Sequence, residues 1–413
     1  MSQSLTSIDT RVESPFIVIT IGDYTLGGCT NSAGISRMKG TMKVTYPDFM
    51  KSIKIVKING AVNTYTITLE YGIASGDDPN LIDRILGSVQ NNREIKISYG
   101  DWNAPSYIYK DELAIITKIT ERVDVASSKI TYELRCTSSS ITLKAGTFNF
   151  NAKVCKPSDE LMRIVNNAVY RIKDIFPGMR QSTDGLAGFI AADDQVVQIE
   201  AQKSTNVLDY MMYLTNCMKP ISEKVSDTLK KAYYQMTIYD DVTNEHGGQY
   251  FKVQKVSPDV KSIPSYDTYV VDVGYPSDNF VTNFTINNNE AWSILYEHAN
   301  KIELPQYTYS IDNDGNVIST YSPSVATSSK KLKATEANQT WWTKVTEFPI
   351  TAQLTIKGLL RPAMLMTYVR VNVYFYGRKH ISSGLYIITK QEDTIDGNGY
   401  KTTLSLTRIG GDE

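Results

Sequence analysis

Ile95-Lys96-Ile97-Ser98-Tyr99-Gly100 leads through a loop to Ile115-Ile116-Thr117-Lys118. Near the other end of the chain, Val371-Asn372-Val373-Tyr374-Phe375-Tyr376-Gly377 leads to Ile387-Ile388-Thr389-Lys390. Each copy is an alternating strand ending in Tyr-Gly, followed by a strand that carries Ile-Ile-Thr-Lys. Downstream of each lies an acidic turn region and a third alternating strand, residues 130–136 in one copy and 400–406 in the other. A four-residue match recurs by chance in β-rich chains, but a matched order of flanking strands is a stronger signal. The reading is two related antiparallel β-barrels or sandwiches, one near each end, with other elements between. The period is far too long for a solenoid.

Working outward, the chain is strand-dominated. Segments 16–21, 53–58, 65–71, 95–99, 114–123 and 130–136 are rich in β-branched and aromatic residues and separated by Gly, Asn, Asp and Ser turns. Tyrosine (27) outnumbers phenylalanine (11), which suits half-buried sheet surfaces where one ring edge stays wet. Two segments have helical spacing. In the first, Ser158 is the expected N-cap behind Pro157, and Leu161, Ile164, Val165, Ala168, Ile172 and Ile175 recur up to Pro177-Gly178. The second runs from a Ser204/Thr205 cap through Val207, Leu208, Met211, Leu214 and Met218 to Pro220. Its methionines read as core rather than as a partner groove. Residues 290–299 form a weaker helical candidate.

The fold class expected is therefore a β-rich α+β protein. The expected division is a first barrel over 1–150, a middle α+β region with two amphipathic helices over 151–265, and a second barrel over 266–413. The second barrel carries a long, exposed, polar insertion near 300–340. Within it, Asp312-Asn313-Asp314-Gly315-Asn316 resembles a calcium loop, but its glycine falls too early and no acidic residue closes it, so a hairpin turn is expected.

Length and composition fit this picture. At 413 residues the prior is two to three domains. Hydrophobic residues at 41% and charged residues at 21% fit a folded chain. Lys+Arg 43 against Asp+Glu 44 gives a net charge of −1, a poor basis for tight electrostatic binding to nucleic acid or anionic membrane. No apolar run approaches the roughly 18–20 residues of a membrane span, and the polar N-terminus shows no secretory signal, so assembly in the cytosol is expected. Cys29, Cys136, Cys155 and Cys217 are scattered, which implies reduced thiols. His246, His298 and His380 are isolated, and no metal-ligand spacing exists.

No catalytic constellation is found, and no catalytic, cofactor or metal residue is assigned. There is no Gly-x-Ser-x-Gly elbow and no phosphate-binding loop. Gly27-Gly28 reads as a turn rather than an anion nest, since no helix start is evident after it. His246 reads as a solvated loop residue, and Asp193-Asp194 and Asp240-Asp241 as surface pairs. Trp341-Trp342 is the one conspicuous aromatic pair, with one ring expected to face the core and the pair a candidate interface anchor.

Residues 350–408 carry a resemblance. Thr355-Ile356-Lys357-Gly358, the segment 366–373, Ser383-Gly384-Leu385-Tyr386-Ile387-Ile388, Ile395-Asp396-Gly397-Asn398-Gly399-Tyr400-Lys401-Thr402 and Leu406-Thr407-Arg408 follow one another in an order similar to the last barrel of baseplate hub proteins of contractile phage tails, the late-control-D-like family. Many relatives carry a His before the Ile-Asp; here Gln391-Glu392-Asp393-Thr394 departs from that pattern. Ser204-Thr205-Asn206-Val207-Leu208-Asp209-Tyr210 with Leu214 resembles a short helix of the same family.

The resemblance implies two tail-tube-like barrels joined by smaller domains, in a homotrimer whose six barrels form a ring with a central channel. The implied partners are a central spike protein, tail tube or tube-initiator proteins, and surrounding baseplate proteins. DNA and tape-measure protein would pass through without specific binding, which near-neutral charge suits. The implied location is the virion tail baseplate, assembled in the host cytoplasm, with a structural rather than enzymatic role. The resemblance extends to the hub part of type VI secretion spikes. The chain reaches Glu413 without the long β-helix of such a spike, so the phage reading is preferred. The competing readings are a carbohydrate- or receptor-binding tail module using Trp341-Trp342 and a tail-associated hydrolase.

Overall fold

The computed structural model describes residues 14–58, 61–72, 78–87, 94–102, 108–175, 194–218, 233–240, 249–256, 267–273, 281–288, 307–311, 317–321, 350–358, 365, 367–380 and 382–411. Its first third contains β1 (Pro15–Ile21), β2 (Tyr24–Gly28), α1 (Ser32–Thr41), β3 (Tyr46–Ile58) and β4 (Thr64–Gly72). There follow α2 (Leu81–Gly87), β5 (Glu94–Asp101), β6 (Tyr109–Asp124) and β7 (Lys129–Ser138). Pairing runs β1–β2–β3–β4–β7–β6–β5 and returns to β1, a closed ring of seven strands. All pairs are antiparallel except β2–β3. Alternation does the work the sequence promised: Ile53 and Ile55, Tyr65, Ile67 and Leu69, and Tyr132 and Leu134 are all buried. Each such side chain contributes about 1.5–3 kcal/mol by leaving water.

Gly27-Gly28 lies in β2, neither turn nor nest. A Cβ on Gly28 would sit 2.0 Å from the Met50 carbonyl oxygen, so only glycine lets β2 approach β3 this closely. A helix does follow: α1, capped by the Asn31 side chain, which accepts from the Gly34 amide at 2.9 Å. Two glycines and a mostly exposed surface hid it from periodicity. Phe16, Val18, Met38, Trp102 and Ile108 form a small core of their own on this side, with Phe16 stacked on Trp102.

The middle region holds β8 (Phe148–Phe150), β9 (Lys153–Cys155), α3 (Pro157–Asn166), α4 (Ile172–Ile175), β10 (Val197–Ile199), β11 (Gln202–Thr205), α5 (Val207–Cys217), β12 (Tyr233–Asp240) and β13 (Gln249–Val256). Leu161, Ile164, Leu208, Met211 and Leu214 meet in its core, so the Met stripe is core. Both helices start differently from the sequence reading. Asn206 caps α5, accepting from the Asp209 amide at 2.8 Å, while Thr205 ends a strand. Ser158 lies inside the first turn of α3, and Asp194 accepts from both its amide and its hydroxyl. Asp194 is thus fully buried as a helix cap rather than a surface residue. The first helical stripe also breaks at Asn167, which caps a 3-10 turn before α4.

The last third contains β14 (Asp267–Val273), β15 (Val281–Asn288), β16 (Tyr307–Ile311), β17 (Val317–Tyr321), β18 (Ile350–Lys357), β19 (Tyr368–Phe375), β20 (Arg378–Lys379), β21 (Gly384–Asp396) and β22 (Gly399–Gly411). β16 and β17 pair antiparallel as a separate two-stranded sheet, and residues 312–316 lie outside the described residues. The others form the order β15–β18–β22–β21–β19–β14, with short β20 beside β19. β14 runs parallel to β19. Position for position this matches β3–β4–β7–β6–β5–β1 of the first barrel, except that β1 is antiparallel to β5.

The duplication extends to irregularities. In β6 the register against β7 slips between Ile116 and Lys118, and in β21 the register against β22 slips between Ile388 and Lys390. The extra residue is the threonine of Ile-Ile-Thr-Lys in both cases. Thr117 Oγ1 donates to the Arg135 carbonyl at 2.9 Å, and Thr389 Oγ1 to the Ser405 carbonyl at 3.2 Å. A second shared bulge places Lys51 in β3 opposite the same point as Thr282 in β15. At the strand ends, Asp124 accepts from the Ala126 amide and Asp396 from the Asn398 amide.

Deleting Thr389 removes the bulge and turns residues 390–395 over, moving Gln391, Asp393 and Ile395 from the core to the surface. We expect such a chain to lose its native circular-dichroism spectrum. T389V, which removes only the hydroxyl bond, should cost about 0.5–1.5 kcal/mol in denaturant unfolding. Deletion of Thr117 should leave the spectrum native, because residues 118–124 are mostly exposed.

Candidate assembly interface at the barrel junction

The two sheets are joined edge to edge by β21 and β3. Beyond its bulge, β21 leaves β19 and pairs antiparallel with β3, Lys390 opposite Ile58 through Ile395 opposite Ile53. This half of β21 is the acidic stretch expected as a turn. It is a strand instead, and Gln391, Asp393 and Ile395 on one of its faces are buried. The lack of apolar alternation in Lys390-Gln391-Glu392-Asp393-Thr394 concealed it. On the opposite face Glu392 takes Lys54 at 2.7 Å and Lys390 at 3.1 Å. Burial alone would raise the Glu392 carboxyl, but the hydrogen bonds and charges of the two lysines outweigh it and hold it below the usual range.

Behind the junction lies a buried polar cluster. Lys57 on β3 donates to Glu112 on β6 at 2.8 Å and to the Tyr99 hydroxyl at 3.1 Å. Tyr65 and Tyr99 also donate to Glu112, at 2.8 and 3.0 Å. Lys57 Nζ sits 4.5 Å from the centre of the Tyr109 ring, which stacks on Tyr99 at 4.6 Å. From β21, Asp393 accepts from Thr402 at 2.6 Å, Gln391 at 2.6 Å and Tyr400 at 3.3 Å. Burial pushes the Asp393 carboxyl up, against the lowering effect of the Thr402 hydrogen bond and the Lys57 charge. Burial, then the neighbouring Glu112 and Asp393 charges, push the Tyr99 and Tyr400 hydroxyls well above their ordinary value. The signal available in the sequence was Lys57 itself, a charge at the parity of Ile53 and Ile55.

Trp341, Trp342 and His246 lie outside the described residues. Cys136 is buried and Cys29 half-buried, and burial pushes both thiols up to about 12, which suits inert cysteines. A cleft of about 660 Å³ separates β5 and β6 from the middle region, lined by Ile115, Leu143, Phe148, Tyr170 and Arg171 among others. No group of three metal-ligating side chains occurs among the described residues, and no described helix is long and apolar enough to cross a membrane.

A closed seven-stranded barrel and a second sheet of matching strand order, joined through strand edges and flanked by a small helical layer, make a β-rich α+β fold. No protein family and no curated protein matches the chain. Among solved structures, the 43 kDa tail protein of prophage MuSo2 from Shewanella oneidensis is similar over 97% of this chain and 100% of its own, with TM-score 0.51 and 10% identity. A tail protein from Neisseria meningitidis MC58 is similar over 96% of this chain and 97% of its own, with TM-score 0.50 and 9% identity. The c3393 protein of E. coli, a type VI secretion component, aligns over 88% of this chain and 75% of its own, with TM-score 0.44 and 8% identity. The chain has the fold of the first two tail proteins, as the resemblance of its C-terminal motifs implied.

Two outcomes test the polar cluster. K57M strands the Glu112 charge in the core and should cost about 3–5 kcal/mol in denaturant unfolding, while K57M/E112Q should recover most of that loss. Because Asp393 binds its proton more tightly in the native state, its contribution is complete below the ordinary carboxylate value of 3.8 and is lost as pH rises through the raised native value. D393N, with Gln391 turning its amide, should therefore unfold at higher denaturant than the unmodified protein at pH 7, and the gap should close below pH 3.8.

Proposed function

We propose that this chain is a structural baseplate hub of a contractile phage tail. It acts as a homotrimer whose ring surrounds a central channel and joins the central spike to the tail tube. The observation that carries the reading is the matched strand order of the two β-units, which would let three chains present six similar surfaces to a sixfold tube and a threefold face to a spike. The fold shared with two tail proteins, one of them from a prophage, supports it. Surrounding baseplate proteins and tube-initiator proteins are the other partners. DNA and tape-measure protein pass through without specific binding, as a net charge of −1 suits. In this reading the protein is not an enzyme and needs no cofactor. It resides in the virion baseplate after assembly in the host cytoplasm. The division at 1–150, 151–265 and 266–413, and the role of Trp341 and Trp342 as interface anchors, belong to the same proposal.

Light scattering on a sizing column tests it. Three copies of 46.3 kDa give about 139 kDa, and imaging should then show rings with a central channel. A stable dimer would count against a threefold hub.

A further inference from the structure

The two Ile-Ile-Thr-Lys strands share a bulge, a hairpin partner that continues beyond it and a terminal aspartate turn, yet among the described residues only one has a second partner strand beyond its bulge. In β21 that half docks on β3. In β6, pairing with β5 ends at Ile115, and among the described residues no strand takes the edge of residues 118–124. Counting from the bulges, Val123 stands where Ile395 stands and Glu121 where Asp393 stands. Ile395 and Asp393 are fully buried, whereas Val123 is 59% exposed and Val125, at the hairpin tip, 87% exposed. The mirror situation holds for the accepting strand. The common bulge equates Phe284, Thr285 and Ile286 of β15 with Ile53, Lys54 and Ile55 of β3. β15 pairs with β18 on one side and ends the described sheet on the other.

We propose that residues 118–124 of β6 pair antiparallel with β15 of a second copy of this chain, repeating between chains the β21–β3 contact made within one. The register follows from the equivalence: Val123 opposite Phe284, Arg122 opposite Thr285, and Glu121 opposite Ile286. Among the described strands a chain does not satisfy itself. β6 lies three strands from β3 around the seven-strand ring, and β15 lies three strands from β21, so the free donor and free acceptor flank the junction on opposite sides. The contact is therefore head-to-tail, and it closes into a ring of two barrels per chain. It also covers an exposed edge that would otherwise invite indiscriminate pairing. This inference rests on the ring-forming reading above and adds the surfaces and register that build the ring.

Paired cysteines test the register directly. R122C/T285C, oxidised under native conditions, should shift the 46.3 kDa band to dimer and closed-trimer positions on a non-reducing gel. Neither single variant nor E121C/T285C, whose side chains leave opposite faces, should do so. V123D, at an exposed position, should keep the native spectrum and lose the trimer mass. A trimer that fails to cross-link at R122C/T285C, with both thiols shown to react with a maleimide, overturns this inference and leaves the hub reading standing. A chain that stays monomeric at every concentration and never cross-links overturns both.

Discussion

Everything distinctive in this molecule depends on one half-strand changing sheets. Residues 390–395 leave the side of β19 and enter the edge of β3, carrying Gln391, Asp393 and Ile395 into a shared core. Without the extra residue at Thr389 the backbone would keep its original twist and offer the wrong face. A bulge both bends a strand and re-aims its side chains, and this one does both at the place where two barrel-type units meet. Backbone ladder bonds give the junction its direction, and the Lys54–Glu392 pair and the Asp393 cluster fix its register.

The buried charges behind it explain why the junction is specific. An interior of only Ile and Val would tolerate a slip of two residues, since parity is preserved. Lys57 facing Glu112, the Tyr99 hydroxyl and the Tyr109 ring, with Tyr65 and Tyr99 also donating to Glu112, has one position in which these groups are satisfied together. A slip would bury unpaired charge, which costs far more than a missed methyl contact.

Much of this was legible in the sequence, for identifiable reasons. Strands such as β4 and β7 declare themselves because alternate residues face water, and the repeat shows because two copies kept the same order of alternating strand, Tyr-Gly, Ile-Ile-Thr-Lys and closing strand. The α5 stripe was visible, though its cap was placed too early because Ser204 and Thr205 mimic the role that Asn206 fills. What stayed hidden depended on distant partners. Asp194 caps α3 across 36 residues, and Gln391-Glu392-Asp393 forms a strand because β3 and Lys57 are there to receive it. A polar run of that kind reads as a turn until its neighbours are known. α1 escaped notice because its buried face is little more than Met38.

Having the β21–β3 edge contact inside the chain has a thermodynamic consequence. The covalent connection between the units makes the meeting of β21 with β3 an intramolecular event, independent of the dilution outside. That contact behaves as part of folding and persists in a single molecule. A chemically similar contact made without a tether obeys mass action and forms only where copies accumulate or a template gathers them. Fusing two such units into one polypeptide thus separates in time two steps that a single-unit protein would take together: making the building block, and deciding when to build.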